Sequence, residues 1–172
     1  MRERTFAPHT PAGNVLEEWW LALAENRGDR AELCRARSAD DAALMPVTVQ
    51  LVTRLQGTAV AQHGGWIERI PAIAGLAAHL DPDARNAVLA DTTPLPERMV
   101  RPKGDRPVVS ELRFRRLLRT PRHELYRPMM RILALLDHQA NLFELAESLF
   151  WWGPGMQKQW AFAYFPKLPK TA

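Results

Sequence analysis

Guanidinium groups are the reactive chemistry this chain offers most of, and they are concentrated. Between Ser110 and Arg131 the sequence SELRFRRLLRTPRHELYRPMMR carries arginines in helical register. With Ser110 at zero and an advance of about 100° per residue, Phe114, Leu117 and Leu118 share one narrow arc, and Arg115, Arg119 and Arg122 share the opposite one. Arg116 lies at the edge of that polar arc and Arg113 on its flank, while Leu112 is the one apolar residue out of place. A planar fork that stays charged at any working pH and grips two oxygens at once is suited to phosphate. From Arg101 to Arg131 there are ten Lys or Arg against three acids, so this segment is +7 and the rest of the +4 chain about −3. Such asymmetry predicts a basic face with a polyanionic partner. The plainer reading is a solvated helix face with internal ion pairs. The scarcity of acids four residues from these arginines argues against it.

A second, smaller basic site lies in RAELCRAR, residues 30–37, where Arg30, Arg37 and, to one side, Arg35 face outward from a short helix that turns Ala31 and Leu33 or Cys34 inward. Other side chains capable of chemistry are not arranged for it. Cys34 has no base supplied by a local pattern, so it reads as a small buried or semi-exposed thiol. His9, His63, His79, His123 and His138 are scattered without paired ligand spacing, so neither a metal nor any other cofactor is expected. No phosphate loop, nucleophile elbow or pair of carboxylates is visible, which argues against an enzyme. The six tryptophans include the pairs Trp19-Trp20 and Trp151-Trp152. Neighbours on a helix point about 100° apart, so one member of each pair suits the core and the other a boundary or a protein interface; base stacking is the competing use.

A chain of 172 residues with 47% apolar content can bury one good core or two small ones. Its single cysteine excludes an intrachain disulfide and fits a reducing cytoplasm. The opening MRERTFAPHTPAG has no apolar core of a secretory signal. The charge-free run Ile70–Leu80 contains proline, glycine and histidine and is too short to span a bilayer, so no membrane association is expected.

Positioning these groups falls to helices. Asn14, with Glu17 three residues on, reads as the cap of a helix to about Asn26 whose Leu16, Trp19, Trp20 and Leu23 form an apolar face. Gly28 is expected to stop it, with Asp29 capping the next. Ser38–Asp41 makes another cap, and Pro46 suits the first position of a helix through Leu55. Trp66–Leu80 reads as a core helix kinked at Pro71, and Asp81-Pro82 as the start of a short helix to Ala90. DTTPLPERMVRPKGDRP, residues 91–107, has no helical period. Thr120-Pro121 reads as the cap and first residue of a helix containing Leu125, Met129, Ile132, Leu133 and Leu136. Two further helices come after it, one through Leu142, Leu145, Leu149 and Phe150, the other through Met156, Trp160 and Tyr164. Sustained alternation is missing. The expectation is therefore all-α, two small helical bundles joined by a proline-rich linker: an N-terminal domain over residues 1–91, a linker or long loop over 92–109, a basic C-terminal bundle over 110–165 and a disordered tail over 166–172.

The Trp19 helix leading into GDRAELCRAR, the proline-broken middle, SELRFRRLL, and a late LFWWG before a helix ending in YF together resemble the CasB family, the small subunit of the type I-E CRISPR complex Cascade. The resemblance runs from about Asn14 to Phe165. It implies a two-part helical protein without catalytic activity, present in two copies beside the large subunit and the repeated backbone subunits. It also implies contact with target and non-target DNA strands around the guide RNA, and a part in holding the R-loop open. By motif, Arg35 and Arg37 are the implied N-terminal DNA contacts, Arg113, Arg116, Arg119 and Arg122 those of the basic helix, and Lys158 a further point on the path. Cys34 stands where many relatives have arginine, and Gly153-Pro154-Gly155 where they carry charge. The competing reading is a free-standing helical adaptor whose basic face binds an acidic protein.

Overall fold

The computed structural model describes residues 3–170, and within them the chain is helical, as expected, apart from one two-stranded hairpin. The first helix, α1 (Pro11–Glu25), begins earlier than the Asn14 reading placed it. Thr10 is the cap, its Oγ1 accepting from Gly13 N at 3.0 Å, and Pro11 fills the first position. A capping hydroxyl followed at once by proline is the stronger start signal, and Asn14 is left inside the helix. Asn26 then closes α1 and its side chain accepts from Asp29 N to cap α2 (Arg27–Cys34). Gly28 is therefore inside a helix, not a stop between two. Ser38 caps the short α3 (Ala39–Ala43) and Pro46 opens α4 (Pro46–Leu55), both as read from sequence.

The centre of the molecule is α5 (Trp66–Ala77), which contains Pro71 and packs against α3, α4 and α9 (Leu142–Phe150). Every residue of α9 is buried, including Glu144 and Glu147. Both carboxylates are paired, which is what lets them stay buried. Glu147 accepts from Thr5 N and Phe6 N at 3.1 and 2.9 Å, and Glu144 meets Arg4, so the N-terminal segment straps the outer side of α9. Phe6 seals the strap edge-on against Phe150, with centroids 5.4 Å apart. The tryptophans are largely core. Trp19 and Trp20 are buried and donate to the carbonyls of Val47 and Ala77 at 2.9 and 3.1 Å. One buried apolar cluster thus runs through residues from both halves of the chain.

The proline-rich stretch 92–109 is more than a linker. It carries α6 (Leu95–Val100), with Leu95, Met99 and Val100 buried, and then a hairpin of β1 (Pro102–Lys103) and β2 (Arg106–Pro107) turning at Gly104. Buried Arg98 holds it, pairing with Asp91 at 3.0 Å. After α7 (Glu111–Leu118), Thr120 donates its hydroxyl to Arg116 O instead of capping a new helix, so Pro121 leads only into a 3-10 turn and α8 starts later (Tyr126–Leu135). The chain ends with α10 (Pro154–Tyr164) and a 3-10 turn over Phe165–Lys167. Lys167 pairs with Glu97 at 2.6 Å, so the start of the expected tail is ordered onto α6; residues 171 and 172 of that tail lie outside the described residues. No helix among the described residues is long and apolar enough to cross a membrane.

Gly75 lets α8 approach α5. A Cβ there would stand 2.1 Å from the buried Tyr126 Oη. Gly75→Ala should therefore cost about 1–3 kcal/mol through overpacking. Thermal unfolding should show a Tm lower by roughly 2–4 °C for each kcal/mol lost.

Candidate nucleic-acid interface

Ser110 starts α7 by accepting from Arg113 N at 3.3 Å, and the helix turns Phe114 and Leu117 into the core. Phe114 stacks on Tyr164 of α10 with centroids 3.8 Å apart and planes 8° from parallel. Tyr164 is itself pinned, its Oη donating to Val109 O at 2.7 Å, and burial pushes its phenol pKa up to about 12. With that side fixed, the helical period sends Arg113, Arg115, Arg116 and Arg119 outward, and all four are exposed. Arg115 is drawn off: it pairs with Glu111 at 2.7 Å and lies 4.9 Å over the Phe165 ring. Among the described residues Arg113, Arg116 and Arg119 have no side-chain partner. Arg116 and Arg119, in the last turn and at the C-cap of α7, also sit where cations are favoured, whereas Arg113 lies in the first turn.

Arg122 does not continue this ladder. The helix ends at Leu118 with Arg119 as its cap, and Arg122 lies half-buried in the next 3-10 turn. Its guanidinium donates to Leu149 O at 2.6 Å and Trp152 O at 2.7 Å. Burial first, then the nearby charge of Arg69, lowers its pKa. Arg69 donates to Phe150 O at 3.1 Å, so two arginines satisfy the carbonyls at the C-terminal end of α9. The arc calculation placed Arg122 on the outer face because it carried the helical period past the Thr120-Pro121 break.

Arg35 and Arg37 project from the turn between α2 and α3, both exposed, with Ala36 buried between them. Asp41 shapes that turn by accepting from Arg37 N at 3.0 Å. Neither arginine side chain has a partner among the described residues. Cys34 behind them donates to Ala78 O at 3.2 Å, and burial raises its pKa, partly offset by Arg30, so it is a quiet structural thiol. Lys158 is exposed on α10, also unpartnered among the described residues. The structure thus gathers Arg113, Arg116 and Arg119 on one helix face and Arg35 and Arg37 on one turn, and removes Arg122 to a structural duty.

The hairpin adds cations that the linker reading missed. Lys103 and Arg106 pair across it and are exposed immediately before α7. The symmetric PKGDRP, with a glycine turn between two basic residues and two prolines, is the signal that could have found it. Among the described residues there is no group of three or more His, Cys, Asp or Glu able to hold a metal ion.

The family model of the CRISPR-associated protein Cse2 matches residues 29–165. The chain belongs to the Cse2 family. This is the CasB family that the residues resemble. The match opens within α2, so the Trp19-Trp20 helix precedes it, and it takes in both arginine sites of this Cse2 chain. Among solved structures, a chain in the crystal structure of E. coli Cascade bound to a PAM-containing dsDNA target has the same fold, with a TM-score of 0.63 at 16% identity over 88% of this chain and 93% of that one. No curated protein matches the chain.

The split between structural and exposed arginines in this Cse2 chain is measurable. Arg122→Ala strips two carbonyls of their donor and should cost about 1–3 kcal/mol. Arg116→Ala should fall within about 0.5 kcal/mol of the parent. Denaturant midpoints of the two variants check the assignment.

Proposed function

We propose that this chain is a non-catalytic small subunit of a type I-E Cascade complex that binds DNA backbone and helps hold the R-loop open. The observation that carries this is the α7 face, three exposed guanidiniums without acid partners among the described residues, on a helix whose rotation the Phe114–Tyr164 stack fixes. Arg35, Arg37 and Lys158 supply further cations on other elements. In this reading the arrangement grips backbone and does not read base edges. In guide-directed recognition it need not, because pairing with the guide RNA reads sequence and the protein tips a near-balanced strand exchange by gripping backbone. The partners in this reading are the large subunit, the repeated backbone subunits, a second copy of the chain, the guide RNA within the complex, and the target and non-target strands. Membership of the Cse2 family and the fold shared with a chain of DNA-bound E. coli Cascade support it.

On its own the chain should be a weak, sequence-blind binder. Neutralising about five phosphates of a single strand gives log K against log salt a slope near −3.5. Joining a larger assembly then raises the local concentration at the DNA. Reversing Arg113, Arg116 and Arg119 to Glu should leave the Tm in place, weaken retention of single-stranded DNA and make that slope shallower by roughly 2. Unchanged affinity and slope in a folded triple variant would remove the DNA-binding assignment and favour the acidic-protein adaptor.

A further inference from the structure

The arginine faces leave one site of the opposite sign unused. Between the N-terminal strap, α9 and the start of α10 lies a groove of about 670 Å³. Glu144 and Glu147 line it, and Arg4 is the one cation among its described lining residues. Glu147 is fully satisfied, since both of its oxygens accept from the strap amides of Thr5 and Phe6. Glu144 is less well served. Its side chain is only 9% exposed, yet Oε1 alone has a partner, the Arg4 guanidinium, and Oε2 has none among the described residues. A carboxylate held this far from water calls for a fuller set of donors. Arg4 approaches it from the solvent side, with 53% of its own side chain exposed.

A polyanion has no use for such a place, whereas a guanidinium fits it. Its planar fork can take both oxygens of one carboxylate, where Arg4 takes one. The walls suit the rest of an arginine side chain, because Pro94, Trp151, Met156 and Trp160 offer apolar and aromatic surface to its stem and flat face. Gly153, Pro154 and Gly155 bring the N-terminus of α10 to the same groove, with no side-chain cap on it. The first intrahelical bond of α10 runs from Gln157 N to Gly153 O, which leaves the amides of Gly155 and Met156 without an intrahelical acceptor. A small cation would engage the carboxylate alone. An extended polypeptide brings both an arginine for Glu144 and carbonyl oxygens for those amides.

We infer that this groove is a docking site for an extended segment of a partner protein, with an arginine of that segment displacing Arg4 from Glu144. The strap itself stays in place, because Glu147 and the Phe6–Phe150 contact hold it independently of Arg4. The site owes nothing to the α7 arginines, so the failure of this inference and the failure of the DNA-binding reading are separate results.

The test is an NMR titration of the isotope-labelled full chain with a blocked Gly-Arg-Gly peptide, its citrulline counterpart, which keeps the shape and loses the charge, and ethylguanidinium. The arginine peptide should shift the amides of Gly155 and Met156 and the indole of Trp160, and bind about tenfold or more tightly than either control. Glu144→Gln should weaken it about tenfold or more. Arg4→Ala should tighten it about threefold or more by removing the internal competitor. Gly155→Arg, at a position where an added Cβ meets nothing within 4 Å, sets a guanidinium at the groove and should block the peptide, which keeps the test valid if Glu144→Gln fails to fold. Equal binding of the citrulline peptide, or an affinity unmoved in the folded Glu144→Gln and Gly155→Arg chains, overturns the site. Equal binding of ethylguanidinium makes it a small-cation site and overturns polypeptide docking. Unchanged or weaker binding to Arg4→Ala overturns the displacement on which the inference rests.

Discussion

The stacking of Phe114 on Tyr164 is the contact on which the presentation of the α7 arginines depends. An amphipathic helix of two turns has little intrinsic stability in water and gains its orientation from the face it buries. Here that face is narrow, Phe114 and Leu117, and Tyr164 fixes its rotation because the phenol is itself held to Val109 O. Once Phe114 is seated, the helical period leaves Arg113, Arg116 and Arg119 no direction but outward. The outward set of the α7 arginines is thus fixed by a packing event on the opposite side of the helix, between the basic segment and α10.

A second constraint separates arginines that hold the protein together from arginines left for a partner. Arg69 and Arg122 close the C-terminal end of the fully buried α9, and Arg98 anchors α6 to Asp91. Guanidinium suits this work because its rigid fork reaches two carbonyls at once and keeps its charge despite burial. Arg113, Arg116, Arg119, Arg35 and Arg37 make no such contacts among the described residues. Charge counting alone does not distinguish the two groups. Partner geometry does, and it narrows the basic segment to a few groups available to a polyanion.

Much of this was legible in the sequence wherever the signal was local. Ser38 and Pro46 begin helices as their types predict because a cap acts within three or four residues of itself. The buried face of α1 comes from apolar spacing, and the arginines of α7 point where the helical period sends them. The misses are of two kinds. Some were contests between local signals, as when Thr10-Pro11 prevailed over Asn14 and Asn26 over Gly28. Others depended on distant chain: Arg122 is claimed by carbonyls 27 and 30 residues away, and Glu147 is buried because the backbone of Thr5 and Phe6 reaches it from 142 and 141 residues off. The proline-rich stretch looked like a linker because its ordering comes from buried Leu95, Met99 and Val100 and from Arg98, not from a repeating period.

In the proposed role this chain stabilises an R-loop through backbone contacts. The most direct measurement is the dissociation rate of a preformed R-loop in a Cascade complex reconstituted with guide RNA, with the chain present, omitted, or added back as the α7 charge-reversed form. Dissociation should be slow with the parent chain, and fast both on omission and with the reversed form, even though that form still enters the complex. Equal dissociation rates in all three would contradict it.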